Sequence, residues 1–237
     1  METAPYSVEG PINIQDVNEK APQKIGLYVW YAHFHAEKAD WNSSNAEGEM
    51  HAKNNFSKAL INHSAKFNKQ KMAVNILANF STEWKGDLEE SPNSRWGNIL
   101  LNDCNYKQSN LFWKSIQSDN AREAYIDLLK YSFPFFHAPL YMGIAIRQFL
   151  VDRLNFHKNK FIKLYHSKNV NLSNFKNGKD FSERAISFGF CPEDLFCYTI
   201  SPTNYLEENI SQNQIVNLIE SAEWILNRWS TPILGRD

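Results

Sequence analysis

His33, His35 and Glu37 stand at alternate positions at the end of an aromatic, apolar run. Alternate residues of a strand share a face, so two imidazoles and a carboxylate would converge there. Such a set suits a divalent metal. The plainer reading, favoured because no further His-rich element is placed by spacing, is that the imidazoles bond to neighbours or water and hold no metal. Asp180, Glu183, Glu193 and Asp194 could supply a carboxylate pair for acid–base work, although acids beside turns are usually solvated. Cys104, Cys191 and Cys197 are odd in number and form no Cys-x-x-Cys. Cys191 precedes Pro192 between two apolar runs, where a buried thiol is expected rather than a nucleophile. GxSxG, HExxH and P-loop patterns are absent. The expectation is therefore no catalytic and no cofactor-binding residues, with His33, His35 and Glu37 as the one candidate metal set.

The elements that would carry these groups follow from periodicity. Ile25–Phe34 has high β-propensity and is apolar on both faces, as a doubly covered strand would be. Residues 54–67 carry Phe56, Leu60, His63 and Phe67 at helical spacing. Met72–Phe80 alternates, and residues 99–101 make a short strand. A helix is expected from the Ser118-Asp119 cap to just before Pro134. Leu140–Leu150, Lys160–His166, Ala185–Phe190 and Leu195–Ile200 read as further strands. Ser211 with Gln214 forms a capping-box pattern, and Ile215, Leu218, Ile219, Ala222, Ile225, Leu226 and Trp229 then recur at helical spacing. Pro232 and Gly235 close that helix, about 211–229. The fold expected is mainly β: an antiparallel, jelly-roll-like sandwich with about three inserted helices. Residues 1–22, broken by Pro5, Pro11 and Pro22, are expected to form an N-terminal arm that makes lattice or trimer contacts. Residues 23–237 are expected to form one sandwich domain.

Composition narrows the function classes. The 237 residues have a net charge of −1, which gives no electrostatic case for a nucleic-acid or membrane partner, so no specific nucleic acid and no membrane are expected. Near-neutral charge favours self-association. The N-terminal 20 residues are polar and do not read as a signal peptide, and no apolar run reaches the ~20 residues of a membrane span. Asn42, Asn55, Asn62, Asn79, Asn171 and Asn209 begin Asn-x-Ser sequons that an Asn- and Ser-rich chain produces by composition. The 16 Phe, 10 Tyr and 7 Trp exceed what polar segments need, so protein–protein contacts are expected of some of them. Tyr6, Ile12, Ile14, Tyr28, Trp30, Trp84 and Trp96 are the candidates for such assembly contacts.

Several segments resemble the polyhedrins of insect viruses, chiefly the cypovirus proteins. Gly26-Leu-Tyr-Val-Trp-Tyr-Ala-His-Phe34 is similar to that family's first aromatic strand, and Asn55-Phe-Ser-Lys-Ala-Leu60 to the helix after it. Asp180-Phe181, Ala185-Ile-Ser-Phe188, Ser201-Pro-Thr-Asn-Tyr205 and Ser211 to Trp229 follow the order of its last strands and long helix. Ala124 to Pro134 also resembles a join in the baculovirus protein. The resemblance implies a structural protein that forms trimers and packs into crystalline occlusion bodies. It would do so in the cytoplasm of infected insect cells, embed virus particles, and dissolve at alkaline pH. Some members hold nucleotides in the crystal, but no phosphate-binding sequence extends that here. Full deprotonation of 18 Lys and 10 Tyr would take the charge from −1 to about −29, which would drive dissolution by repulsion. The alternatives are a small cytosolic jelly-roll metalloenzyme using His33, His35 and Glu37, and a monomeric module that binds a ligand such as carbohydrate through tryptophans.

Overall fold

A computed structural model describes residues 4–44, 48–67, 107–167, 180–230 and 232–234. The expected strands at 72–80 and 99–101, and also Trp84, Trp96 and Cys104, lie outside the described residues. The rest overturns the β-sandwich. Among the described residues there are nine α-helices and four strands in a single antiparallel sheet. The chain divides into two compact units: one of residues 1–33 and 130–237, the other of 34–129.

The first unit holds the sheet. Its strands are β1 (Tyr6–Asn13), β2 (Gly26–Ala32), β3 (Tyr141–Ala145) and β4 (Leu195–Pro202), in the order β1-β4-β2-β3. Residues 6–13 are thus a paired edge strand, with Tyr6 opposite Pro202 and Ile12 opposite Cys197. A 3-10 turn (Ile14–Asp16) and a short helix, α1 (Val17–Lys20), continue from it. Within the expected arm, residues 6–13 thus pair with the sheet, and Ile12, Ile14 and Val17 bury their side chains.

Two expected strands are helices. Lys160–His166 belongs to α6 (Leu150–Tyr165), which buries Leu150, Leu154, His157 and Phe161. That stripe has helical spacing, but one of its members is an imidazole, so a search for apolar residues misses it. Ala185–Phe188 belongs to α7 (Phe181–Phe188), where Asp180 accepts from the Glu183 N–H and Gly189 ends the helix at φ 81°. Expected strand Leu140–Leu150 is β3 and then the start of α6. Its last five residues, 146–150, leave the sheet after Ala145.

Two layers of helix cover the sheet. Gly26, Tyr28, Trp30 and Ala32 of β2 are buried on one face, where Trp30 stacks on Phe181 of α7 at 5.1 Å. On the other face Leu27, Ile144 and Ile146 pack against Leu206, Ile215 and Ile219. Those three come from α8 (Asn204–Asn209) and α9 (Gln212–Ser230). The expected capping box opens α9: the Gln214 side chain accepts from the Ser211 N–H at 3.1 Å. None of the helices, searched over the described residues, is long and apolar enough to cross a membrane.

The second unit is helical where described. It contains α2 (Lys38–Trp41), α3 (Glu49–Phe67), α4 (Lys107–Ser115) and most of α5 (Asp119–Phe136). Helix α5 runs past Pro134 instead of stopping before it. Phe34, Trp41, Phe56, Ile61, Phe112 and Ile116 form the core. Arg122 is fully buried there; it donates to Glu49 at 2.6 Å and to the Ile116 carbonyl at 2.8 Å, and pairs with Asp119.

Candidate functional site

The first unit contains a buried polar cluster on the face of the sheet covered by α6. The Tyr28 hydroxyl lies 2.8 Å from His157 Nε2 and accepts from Arg153 Nε at 3.4 Å. The Tyr141 hydroxyl interacts with both the Tyr28 hydroxyl and Arg153. Tyr28 and His157 are buried, whereas Tyr141 and Arg153 are half-buried. The cluster therefore has an inner pair and an outer pair.

Local sequence explains the placement. In the β2–β3 pairing Tyr28 faces Gly143 and Trp30 faces Tyr141. A Cβ at Gly143 would collide with the Tyr28 hydroxyl, so glycine makes room for the phenol to lie across β3. The spacing Arg153-x-x-x-His157 puts guanidinium and imidazole on one face of α6. The start of that helix is fixed by hydrogen bonds from the Leu150 N–H to Lys24 O at 2.8 Å and from Val151 N–H to Pro22 O at 3.2 Å. The segment that leads into β2 thus caps the helix that carries His157, in place of a side-chain cap. Helix α7 holds α6 from the other side. Ser182 Oγ donates to the His157 carbonyl at 3.1 Å, and Lys160 pairs with Asp180 and with Glu183.

The electrostatics define roles. Burial, helped by the nearby Arg153 cation, pushes the pKa of His157 down to about 3, so the imidazole is neutral near pH 7. Burial pushes Tyr28 well above the ordinary phenol value, so it is a neutral hydroxyl. Tyr28 then donates to the imidazole and accepts from Arg153. Arg153 forms no ion pair among the described residues, and its hydrogen-bond partners in the cluster are phenols. A second guanidinium, Arg184, lies 5.8 Å from the centroid of the Tyr141 ring. The arrangement joins a neutral imidazole to a hydrogen-bonded phenol and to a cation that has no carboxylate partner among the described residues.

Glu223 is a secondary candidate. It lies half-buried on α9, which packs on β2 and β3, and desolvation raises its pKa. Asn227 donates to it at 2.7 Å. Among the described residues it makes no hydrogen bond to the quartet.

The expected sites fare differently. Strand β2 ends at Ala32, so His33, His35 and Glu37 do not share a strand face, and Glu37 precedes α2. His33 packs on Phe196 at 5.3 Å, and its N–H bonds Asp194 O. No group of three His, Cys, Asp or Glu among the described residues could hold a metal ion. Asp180 and Glu183 are paired with Lys160, and the Asp194 carboxylate caps a turn by accepting from the Cys191 N–H at 2.9 Å. Burial raises the Cys197 thiol, as an inert core cysteine requires. Of the residues expected at assembly contacts, Ile12, Ile14, Tyr28 and Trp30 are interior, so they offer little to a neighbouring molecule. Tyr6 is half-buried against the Leu206–Ile215–Ile219 cluster.

Tyr141, Arg153 and His157 escaped the sequence reading, and Tyr28 was assigned another role. The signal was a tyrosine strand and a Tyr-x-Gly strand, followed by Arg and His four apart on a helix. No protein-family model matches the chain, and neither a curated relative nor a solved structure does.

Proposed function

We propose that the protein hydrolyses phosphodiesters, with nucleic acid as substrate, at the Tyr28–Tyr141–Arg153–His157 cluster. The observation that carries this reading is the Arg153 guanidinium, which has no carboxylate partner among the described residues, beside a hydroxyl bonded to a neutral imidazole. Guanidinium geometry matches a phosphate, and the same cation stabilises the charge that develops as phosphorus is attacked. Half-buried Tyr141 meets the substrate side. The attacking water gives its proton to solvent, while the neutral His157 imidazole accepts from Tyr28 and so holds that hydroxyl and Arg153 toward the phosphate. The new bond joins the water oxygen to phosphorus. The ester P–O bond breaks, and the departing oxygen takes a proton from solvent.

Local charge supports the substrate class. Arg147, Arg153, Lys158 and Lys163 lie along α6 and its approach, and form no ion pair among the described residues. The chain-wide charge of −1 hides this basic stretch. The test is incubation of the full chain with end-labelled single strands and with supercoiled plasmid, with and without a divalent cation. Cleavage that Tyr28→Phe and Arg153→Ala both abolish supports the reading. No cleavage of either nucleic acid under any of these conditions contradicts it.

The second reading is self-assembly into intracellular crystals. Exposed Trp224 and Trp229 of α9 and Phe135 of α5 favour a protein contact. Its weakness is the sandwich that the polyhedrin resemblance implies, which the single helix-covered sheet replaces. Crystalline bodies seen by light microscopy after expression in insect cells, dissolving at alkaline pH, would support it. A freely soluble product would remove it.

A further inference from the structure

A groove of about 450 Å³ runs along α6, lined by Phe156, Asn159, Lys160, Lys163 and Leu164. That volume lies in the ~300–1,000 Å³ range of small-ligand clefts. Residues 156, 159, 160 and 163 share one face of the helix. Phe156 is 55% exposed, which is high for a side chain on a well-packed helix. Its ring lies 6.0 Å from the His157 ring, and the Arg153 guanidinium lies 5.8 Å from its centroid. Phe156 thus belongs to the groove and also lies beside two members of the cluster.

We propose that this groove is a subsite for an unpaired nucleobase next to the scissile phosphodiester, an inference that rests on the phosphodiester reading. An exposed phenyl ring offers a stacking face, and stacking tolerates any base. A base inside a duplex already has both faces covered, so the occupant is single-stranded. Asn159 supplies an amide donor and acceptor for a base edge. Lys163 is exposed and forms no ion pair among the described residues, so its ammonium suits the next phosphate. The Lys160 ammonium is held by Asp180 and Glu183 and contributes its aliphatic stem to the wall. Arg153 holds the scissile phosphate on one side and borders the stacking ring on the other.

The test compares binding of the full chain to a fluorescent single strand of thymidines and to an abasic strand of equal length. The wild type is expected to prefer the base-bearing strand by about 5- to 150-fold, the range of one stacked base. Phe156→Ala should erase that preference, and Phe156→Trp should restore it. If the wild type binds both strands equally, or Phe156→Ala keeps the preference, the subsite is overturned while the phosphodiester reading stands. If the wild type binds and cleaves neither strand, the phosphodiester reading fails and the subsite falls with it. A circular dichroism spectrum shared by all three proteins separates these outcomes from misfolding.

Discussion

Each unit of this protein has an arginine among aromatic rings, and the two arginines are treated in opposite ways. In the helical unit, Arg122 is fully buried, spans Glu49 and Asp119, and lies 5.9 Å from the Trp41 ring. Asp119 is held below the ordinary carboxylate range by the N–H of Ser43, together with Arg122. Two carboxylates neutralise that cation, so the cluster is a structural clasp. In the sheet unit, Arg153 is half-buried and faces two phenols and a neutral imidazole. Among the described residues that charge has no carboxylate partner. On the proposed reading, it is the cation that takes the phosphate.

The largest effect expected from breaking this contrast is on turnover. Tyr28→Phe removes the hydroxyl that is bonded to His157 and accepts from Arg153, so cleavage should fall by about 10²- to 10³-fold, the range for loss of one positioned hydrogen-bonding group. Thermal unfolding of the same variant should move little, because the ring still fills its place. Arg153→Ala should lower kcat/KM by about 10²- to 10³-fold, as loss of one oxyanion donor does. Arg153→Lys should recover little, since an ammonium cannot reproduce the planar fork.

In the helical unit the expected effect is on stability. Arg122→Ala should destabilise by about 3 kcal/mol in denaturant titration, the low end for breaking a buried pair. The low end applies because Glu49 is 41% exposed and can regain water. Turnover per folded molecule should stay within about two-fold, given the scale of effects away from a site. An Arg122→Ala protein that melts normally yet loses activity would break the comparison.

The smallest effect concerns pH. His157 has a folded pKa of about 3 against an ordinary value of 6.5. Between those values the unfolded chain binds a proton that the folded chain refuses, so stability falls as pH drops from 6.5 toward 3. The contribution is fully present above 6.5 and erodes through that window. In His157→Gln the slope of stability against pH should flatten across it. An unchanged slope would mean that the imidazole is already charged in the fold.

Four elements were legible where one period dominated, whereas the balance of helix and strand, expected as mainly β, was not. Strand β2, helix α3, strand β4 and the capped helix α9 follow from apolar spacing and, for α9, the Ser211–Gln214 box. Helix α6 was not legible as apolar periodicity, because its buried stripe includes His157 and its start is capped by backbone carbonyls of Lys24 and Pro22 rather than by a side chain. Helix α7 did carry a local signal, Asp180 with Glu183 and then Gly189, which outweighed the β-propensity of its apolar run. The site stayed hidden for a related reason. Tyr28 and Tyr141 are far apart in the chain and look like core aromatics. Only the β2–β3 register, with Gly143 opposite Tyr28, brings their rings to 6.2 Å from each other. A whole-chain charge near zero also masked the basic run along α6.

The most direct test is single-turnover cleavage of a labelled single strand by the wild type, Tyr28→Phe and Arg153→Ala, each shown to be folded by its melting curve. The account predicts cleavage by the wild type and a loss of about 10²-fold or more in both variants. Folded variants that cleave as fast as the wild type, or a wild type that cleaves nothing, would contradict it.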